Sequence, residues 1–202
     1  DVFPLDVLRQ ALALTGHKPS MVSSNHLEHL IAEHMPVEDL GDASIPIHVV
    51  ATDVMSGQEV LLSTGDGPSA VLASASIPAV FPAVRREDRV LMDGGVSNNT
   101  AVSQAIALGA DRVVVLPAGF ACALSDPPSS PLDSAIHALT LLIEQRLCVE
   151  VDQLSDQAEM VVLPPLCPLS VSPVDFGHTN DLITRGHHST AEWLDTERYR
   201  TE

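Results

Sequence analysis

The sequence predicts an α/β protein with a largely parallel sheet, and three observations lead there. Strand-like and helix-like segments alternate through the second half of the chain, the pattern of βαβ units. One strand-like run, Arg112–Leu116 (Arg-Val-Val-Val-Leu), is almost wholly apolar, as strands covered on both faces are. A third run, Arg89–Met92, ends in Asp93-Gly94-Gly95 and passes into polar residues that can open a helix. That order puts a carboxylate at the C-terminal end of a buried strand, facing the crevice where open α/β sheets bind ligands.

Taken in order, Val2–Leu14 has helical spacing through Leu5, Leu8 and Leu12 and stops at Gly16, a C-cap residue. Asn25 is expected to cap a second helix carrying Leu27, Leu30 and Ile31, which ends before Pro36. Ile45–Thr52 is β-branched and predicts a buried strand, and Glu59–Ser63 a return strand. Between them Met55-Ser56-Gly57-Gln58 is turn chemistry, so the two form a hairpin-like pair. Pro68 starts a helix over Ser69–Ser76, and Ile77–Pro82 is an apolar loop stiffened by two prolines. After Asp93 a helix is expected over Thr100–Leu108, ended by Gly109. A Pro- and Ser-rich loop, Ser125–Pro131, leads to a long helix over Leu132–Leu154. Glu159–Leu163 is the next strand, Pro164–Pro173 a proline-rich crossing, and the last helix runs from Asn180 or Asp181 to Trp193 or Leu194. No repeat and no linker divides the chain, so one domain over residues 1–202 is expected.

Composition narrows the function. The chain has 202 residues, 45% of them hydrophobic and 3% aromatic, so its core is built from Val, Leu, Ile and Ala. Net charge is −17 with ten basic residues, nine of them Arg, which excludes a nucleic-acid groove built on clustered cations. The same charge opposes long-range attraction to an anionic bilayer, while leaving hydrophobic lipid contact open. Nine histidines make the charge sensitive near pH 6. The three cysteines, Cys122, Cys148 and Cys167, are odd in number and form no C-x-x-C, which points away from a disulfide framework and toward a reducing, cytoplasmic setting. Cys148, in an apolar helical pattern, is expected to be a small core hydrophobe. No apolar run reaches the length of a membrane span, because Ala135–Val149 is broken by His137, Glu144, Gln145 and Arg146. The chain starts at Asp1 with no secretory signal, which fits a processed or partial polypeptide.

Asp93 is the leading candidate for chemistry, with Gly94 and Gly95 letting another element or a substrate approach its turn. Ser97 and Asn98 are expected to cap the following helix, with Asn98 also steadying the turn. Asp53 also ends a strand, and its expected role is to begin the hairpin turn. His26, Glu28, His29, Glu33 and His34 decorate one helix, but without a His-Glu-x-x-His pattern they read as a solvated face, and no metal is expected. His187 and His188 are adjacent and point apart on a helix. Ser74, Ser76 and Ser97 lie near Asp93 in sequence, yet none sits in an elbow that would make it reactive.

Taken together, Ala51-Thr52-Asp53, Gly57, Ser74–Pro82, Met92–Val96, Asn99 and Ala107–Asp111 resemble the patatin-like phospholipases in order and spacing, over about residues 45–116. The resemblance implies a three-layer α/β/α sandwich with a mostly parallel sheet, a helical C-terminal extension over about 130–202, and lipid acyl hydrolysis by a Ser–Asp dyad without histidine or cofactor. Asp93 would be the dyad's proton acceptor, within the motif Asp93-Gly94-Gly95. Ile77, Pro78 and Phe81 would line the acyl groove, with Asn98 in support. Three departures stand out. No serine here has glycine at both −2 and +2, so the Gly-x-Ser-x-Gly elbow and the first strand that leads to it are missing. The family's usual Pro after Asn-Asn-x is Ala101, and its usual Gly before Val-Phe-Pro is Ala79; each reads as a minor change. The chain is therefore expected to supply the Asp and the groove loop, the nucleophile coming from an upstream segment or a second chain. The alternative is a non-catalytic patatin-type scaffold that binds lipid or a partner.

Overall fold

The computed structural model describes residues 20–117, 127–128, 131–167, 169, 171 and 176–196. The predicted helix Val2–Leu14 with Gly16, Cys122, and parts of the Ser125–Pro131 and Pro164–Pro173 loops lie outside the described residues. Elements of both kinds are present, as an α/β chain requires, and they fall into two compact units, residues 1–99 and 100–202.

The first unit contains α1 (Asn25–His34), a 3-10 turn (Leu40–Asp42), β1 (Val49–Asp53), β2 (Glu59–Leu62), α2 (Gly67–Ser74), β3 (Val84–Arg86), β4 (Arg89–Asp93) and α3 (Gly95–Asn98). Its sheet has the order β2-β1-β4-β3. Every pairing in it is antiparallel, which corrects the expectation of a mostly parallel sheet. Two of the pairings follow from short connections, because a tight turn can join only antiparallel strands. Between β1 and β2 the Asp53 carboxylate accepts the Met55 and Ser56 N–H groups at 2.8 and 2.9 Å, and Gly57 takes φ +70°. Asp53 is thus the turn-starter that the sequence indicated. Between β3 and β4 Glu87 turns the chain at φ +54°. Strand β3 was not foreseen, since three residues with one apolar side chain carry no readable period. β1 begins at Val49 and not at Ile45: Pro46 has no N–H to give a ladder, and Ile45 is 77% exposed.

Ala51, Val60, Ala73 and Leu91 form the core of this unit, with Leu62 and Val84 against it. Small residues at Ala51 and Ala73 let α2 lie close to the sheet. Pro68 sits in the first turn of α2, and the Asp66 carboxylate caps it by accepting the Ser69 N–H at 3.0 Å. The N-cap of α1 is Ser24, with no side-chain bond; Asn25 instead takes the Ser23 hydroxyl at 2.9 Å, so the expected Asn25 cap is corrected.

The second unit contains α4 (Val102–Ala107), β5 (Arg112–Val115), α5 (Pro131–Leu154), β6 (Glu159–Val162), a 3-10 turn (Phe176–His178) and α6 (Thr179–Asp195). β5 and β6 pair in parallel, as the alternation of strand and helix predicts. Val102, Val113, Val115, Leu147 and Ala158 make its core. Gly109 closes α4 at φ +95°. Cys148 is exposed and free, which corrects its reading as a core residue: its neighbour Leu147 takes the inward position. Cys167 is disulfide-bonded, so the odd cysteine count did not mean a chain without disulfides, and the argument for a reducing compartment loses its support. Among the described residues no helix is long and apolar enough to cross a membrane.

Candidate active site

Asp93 is the last residue of β4, and the main chain around it is tied on two sides. Its N–H donates to the Ser76 carbonyl at 3.0 Å, and the Gly94 N–H to the Ser74 carbonyl at 3.3 Å, which anchors the strand end to the exit of α2. Gly94 has an ordinary helical φ of −63°, so it is not there for backbone freedom. A Cβ at that position would run into the Val50 carbonyl oxygen of β1. The close approach of strand β1 is what demands glycine. At Gly95 a Cβ would lie 2.8 Å from Asn99 Oδ1 and 2.9 Å from Asp93 Oδ1.

The carboxylate of Asp93 is partly buried. Oδ1 accepts the Gly95 N–H at 2.7 Å, while no described residue donates to Oδ2. Burial pushes the pKa of Asp93 up, and the Gly95 N–H pulls it partly back. One oxygen is therefore held, and the other is left for an incoming donor.

Thr52 completes the turn and was missed from the sequence. It is fully buried, and its hydroxyl lies 2.8 Å from the Asp93 carbonyl oxygen and 2.8 Å from Ser97 Oγ. Thr52 Oγ1 also accepts the Ser97 N–H at 3.2 Å. Nothing local marks this threonine, because its partners lie 41 and 45 residues away.

Ser97 and Asn98 do not cap the next helix. They lie inside α3, and α4 begins only after Ala101, which has φ +51°. Asn98 is 2% exposed, and its amide donates to Glu59 Oε2 at 3.1 Å. Ser76 is buried with its hydroxyl on the Leu72 carbonyl at 2.7 Å, which removes it as a nucleophile.

The Ile77–Pro82 loop folds back on itself, the Ile77 carbonyl accepting the N–H groups of Val80 at 3.1 Å and Phe81 at 3.0 Å. Ile77 and Pro78 are exposed at its apex, whereas Phe81 is only 4% exposed and serves packing. Ala79 at φ +68° makes the bend. A second pair unseen in the sequence is His48 and Ser63, whose Nδ1 and Oγ are 2.7 Å apart across the β1–β2 ladder. Period-2 alternation across the hairpin was the signal that could have found it. No carboxylate among the described residues orients His48, so the pair lacks the third member of a catalytic triad.

His26, Glu28, His29, Glu33 and His34 are exposed along α1, and His187 and His188 are exposed on α6. An open cleft of about 410 Å³ lies among α1, the start of α2 and β3, with Glu28, Asp66, Leu72 and Arg85 in its lining; Asp93 is not part of it.

The arrangement can accept a proton on a carboxylate oxygen that no described residue holds, at the end of a strand. Among the described residues no serine hydroxyl donates to that oxygen. Residues 8–106, just under half of the chain and including β1–β4, α3 and Asp93, match the patatin-like phospholipase family.

Proposed function

We propose that this chain is part of a patatin-like lipid acyl hydrolase and carries the acceptor half of its Ser–Asp dyad. The observation that supports this most is Asp93 itself: a partly buried carboxylate with Oδ1 held by the Gly95 N–H and Oδ2 without a donor, inside the family-matched stretch. In the proposed reaction Oδ2 takes the proton of a serine hydroxyl as that oxygen attacks an ester carbonyl. The proton then passes to the departing alkoxide, and water repeats the sequence to release the acid. The raised pKa suits this role, since it makes the carboxylate a stronger base than an exposed aspartate. No cofactor is needed. The serine comes from a segment or a second chain outside this sequence, which would also complete the three-layer sandwich. Ile77 and Pro78, being exposed, are better placed than Phe81 to meet an acyl chain.

Two experiments test this. A fluorophosphonate probe is expected to leave this polypeptide unlabelled; labelling that disappears in Ser63→Ala would overturn the missing-nucleophile reading. In a longer polypeptide carrying a Gly-x-Ser-x-Gly elbow, Asp93→Asn is expected to lower ester turnover by about 10²–10⁴-fold with the fold retained, as circular dichroism would show. An unchanged rate would remove Asp93 from the chemistry and leave the non-catalytic scaffold.

A further inference from the structure

We propose that Glu59 is a positioning residue for Asp93, acting through Asn98 on the turn that carries the carboxylate. The inference rests on the reading of Asp93 as proton acceptor. α3 has four residues, and its Asn98 N–H reaches the Gly94 carbonyl at 2.8 Å. A helix of one turn does not hold itself in water, because nucleation costs more than one hydrogen bond returns. Its orientation depends on side-chain tethers, and it has one at each end. Thr52 holds the Asp93 carbonyl and Ser97 at the start. Glu59 holds the Asn98 amide at the finish, from 39 residues away. Thr52 and Glu59 are opposite each other in the β1–β2 register, so both tethers rise from one face of the hairpin. Between them lies the Gly95 N–H that fixes Asp93 Oδ1.

A second observation is independent of that geometry. Glu59 Oε1 is buried and has no hydrogen-bond partner. Leaving a buried carboxylate oxygen unsatisfied is costly, and a β-branched residue would suit the strand better. Local rules of this kind are broken where a site gains from it. The gain available here is the bond that Glu59 Oε2 makes to Asn98.

The test is amide hydrogen exchange and carboxyl-carbon titration by NMR on the chain as it stands. Glu59→Ala, or the strand-favouring Glu59→Thr, removes the acceptor; Glu59→Gln keeps an oxygen for Asn98. With the acceptor removed, exchange at Gly95 and Asn98 is expected to rise about tenfold relative to Val54, whose N–H is fixed to the Val90 carbonyl. The Asp93 titration midpoint should move in the same variants, and Glu59→Gln should stay near wild type in both readouts. The proposal fails if Gly95 and Asn98 exchange is unchanged, if it rises only in step with Val54, or if Gln behaves like Ala. None of these readouts uses turnover. Loss of the Asp93 role in the hydrolysis assay would therefore be distinguishable from loss of the Glu59 tether.

Discussion

Asp93 sits under two opposed influences. Burial disfavours its charge, and the Gly95 N–H favours it; burial is the larger, so the folded pKa lies above the ordinary 3.8. The consequence for stability has a definite sign. Folding prefers the protonated form, so this contribution is fully present below the unfolded pKa and is lost as pH rises through the folded one. At neutral pH the ionised Asp93 therefore works against the fold. Asp93→Asn keeps an oxygen for the Gly95 N–H and removes the charge. It is expected to melt at a higher temperature than wild type at pH 7, with the gap closing as pH falls toward 4. Parallel melting profiles across that range would show that burial does not act on Asp93 as described.

At the scale of elements, Ala79 and Ala101 matter more than their side chains indicate. Both have left-handed backbone, φ +68° in the Ile77–Pro82 loop and φ +51° ahead of α4. An L-residue with a Cβ pays about 1–2 kcal/mol for that conformation. Alanine at these two positions is therefore not conformationally neutral. Glycine at 79 removes the strain there, while proline at 101 cannot adopt a positive φ at all. Thermal melts should show Ala79→Gly and Ala101→Gly each stabilising by about 0.5–1 kcal/mol, the gain net of the extra chain entropy of glycine. Ala101→Pro should destabilise by more than about 1 kcal/mol. If Ala101→Pro melts like wild type, the left-handed start of α4 is wrong.

At the scale of the molecule, charge and apolar exposure oppose each other. In the second unit one side of β5 packs Val113 and Val115 into the core, while Val114 faces outward and Leu116, just beyond the strand, is 69% exposed. Leu142 and Val149 are exposed on α5 as well. Apolar surface of this kind favours association, and a net charge of −17 resists it. Salt screens the charge and leaves the apolar surface intact. Light scattering behind size exclusion is expected to show the mean mass rising between low salt and about 0.5 M, where the screening length is a few ångströms. A monomer unchanged over that range would mean that these residues do not form a continuous patch.

What could be read from the chain was what neighbours along it decide. Asp93 at the end of an apolar run, the Asp53–Gly57 turn and the Pro68 helix start are set by residues within a few positions, and all three are found where expected. The chain alone also pointed to the family-matched stretch, because the order of short motifs is itself a sequence property. It could not reveal strand direction across β1 and β4, which depends on a pairing between residues about forty positions apart. Nor could it show that Thr52 and Glu59 hold the turn of Asp93, that Phe81 is buried while Ile77 is open, or that Ala79 and Ala101 bear positive φ. Sequence by itself determined which carboxylate ends a strand and which glycines follow it. Only tertiary structure decided how that carboxylate is solvated and held, because burial and long-range hydrogen bonds exist only once distant segments have met.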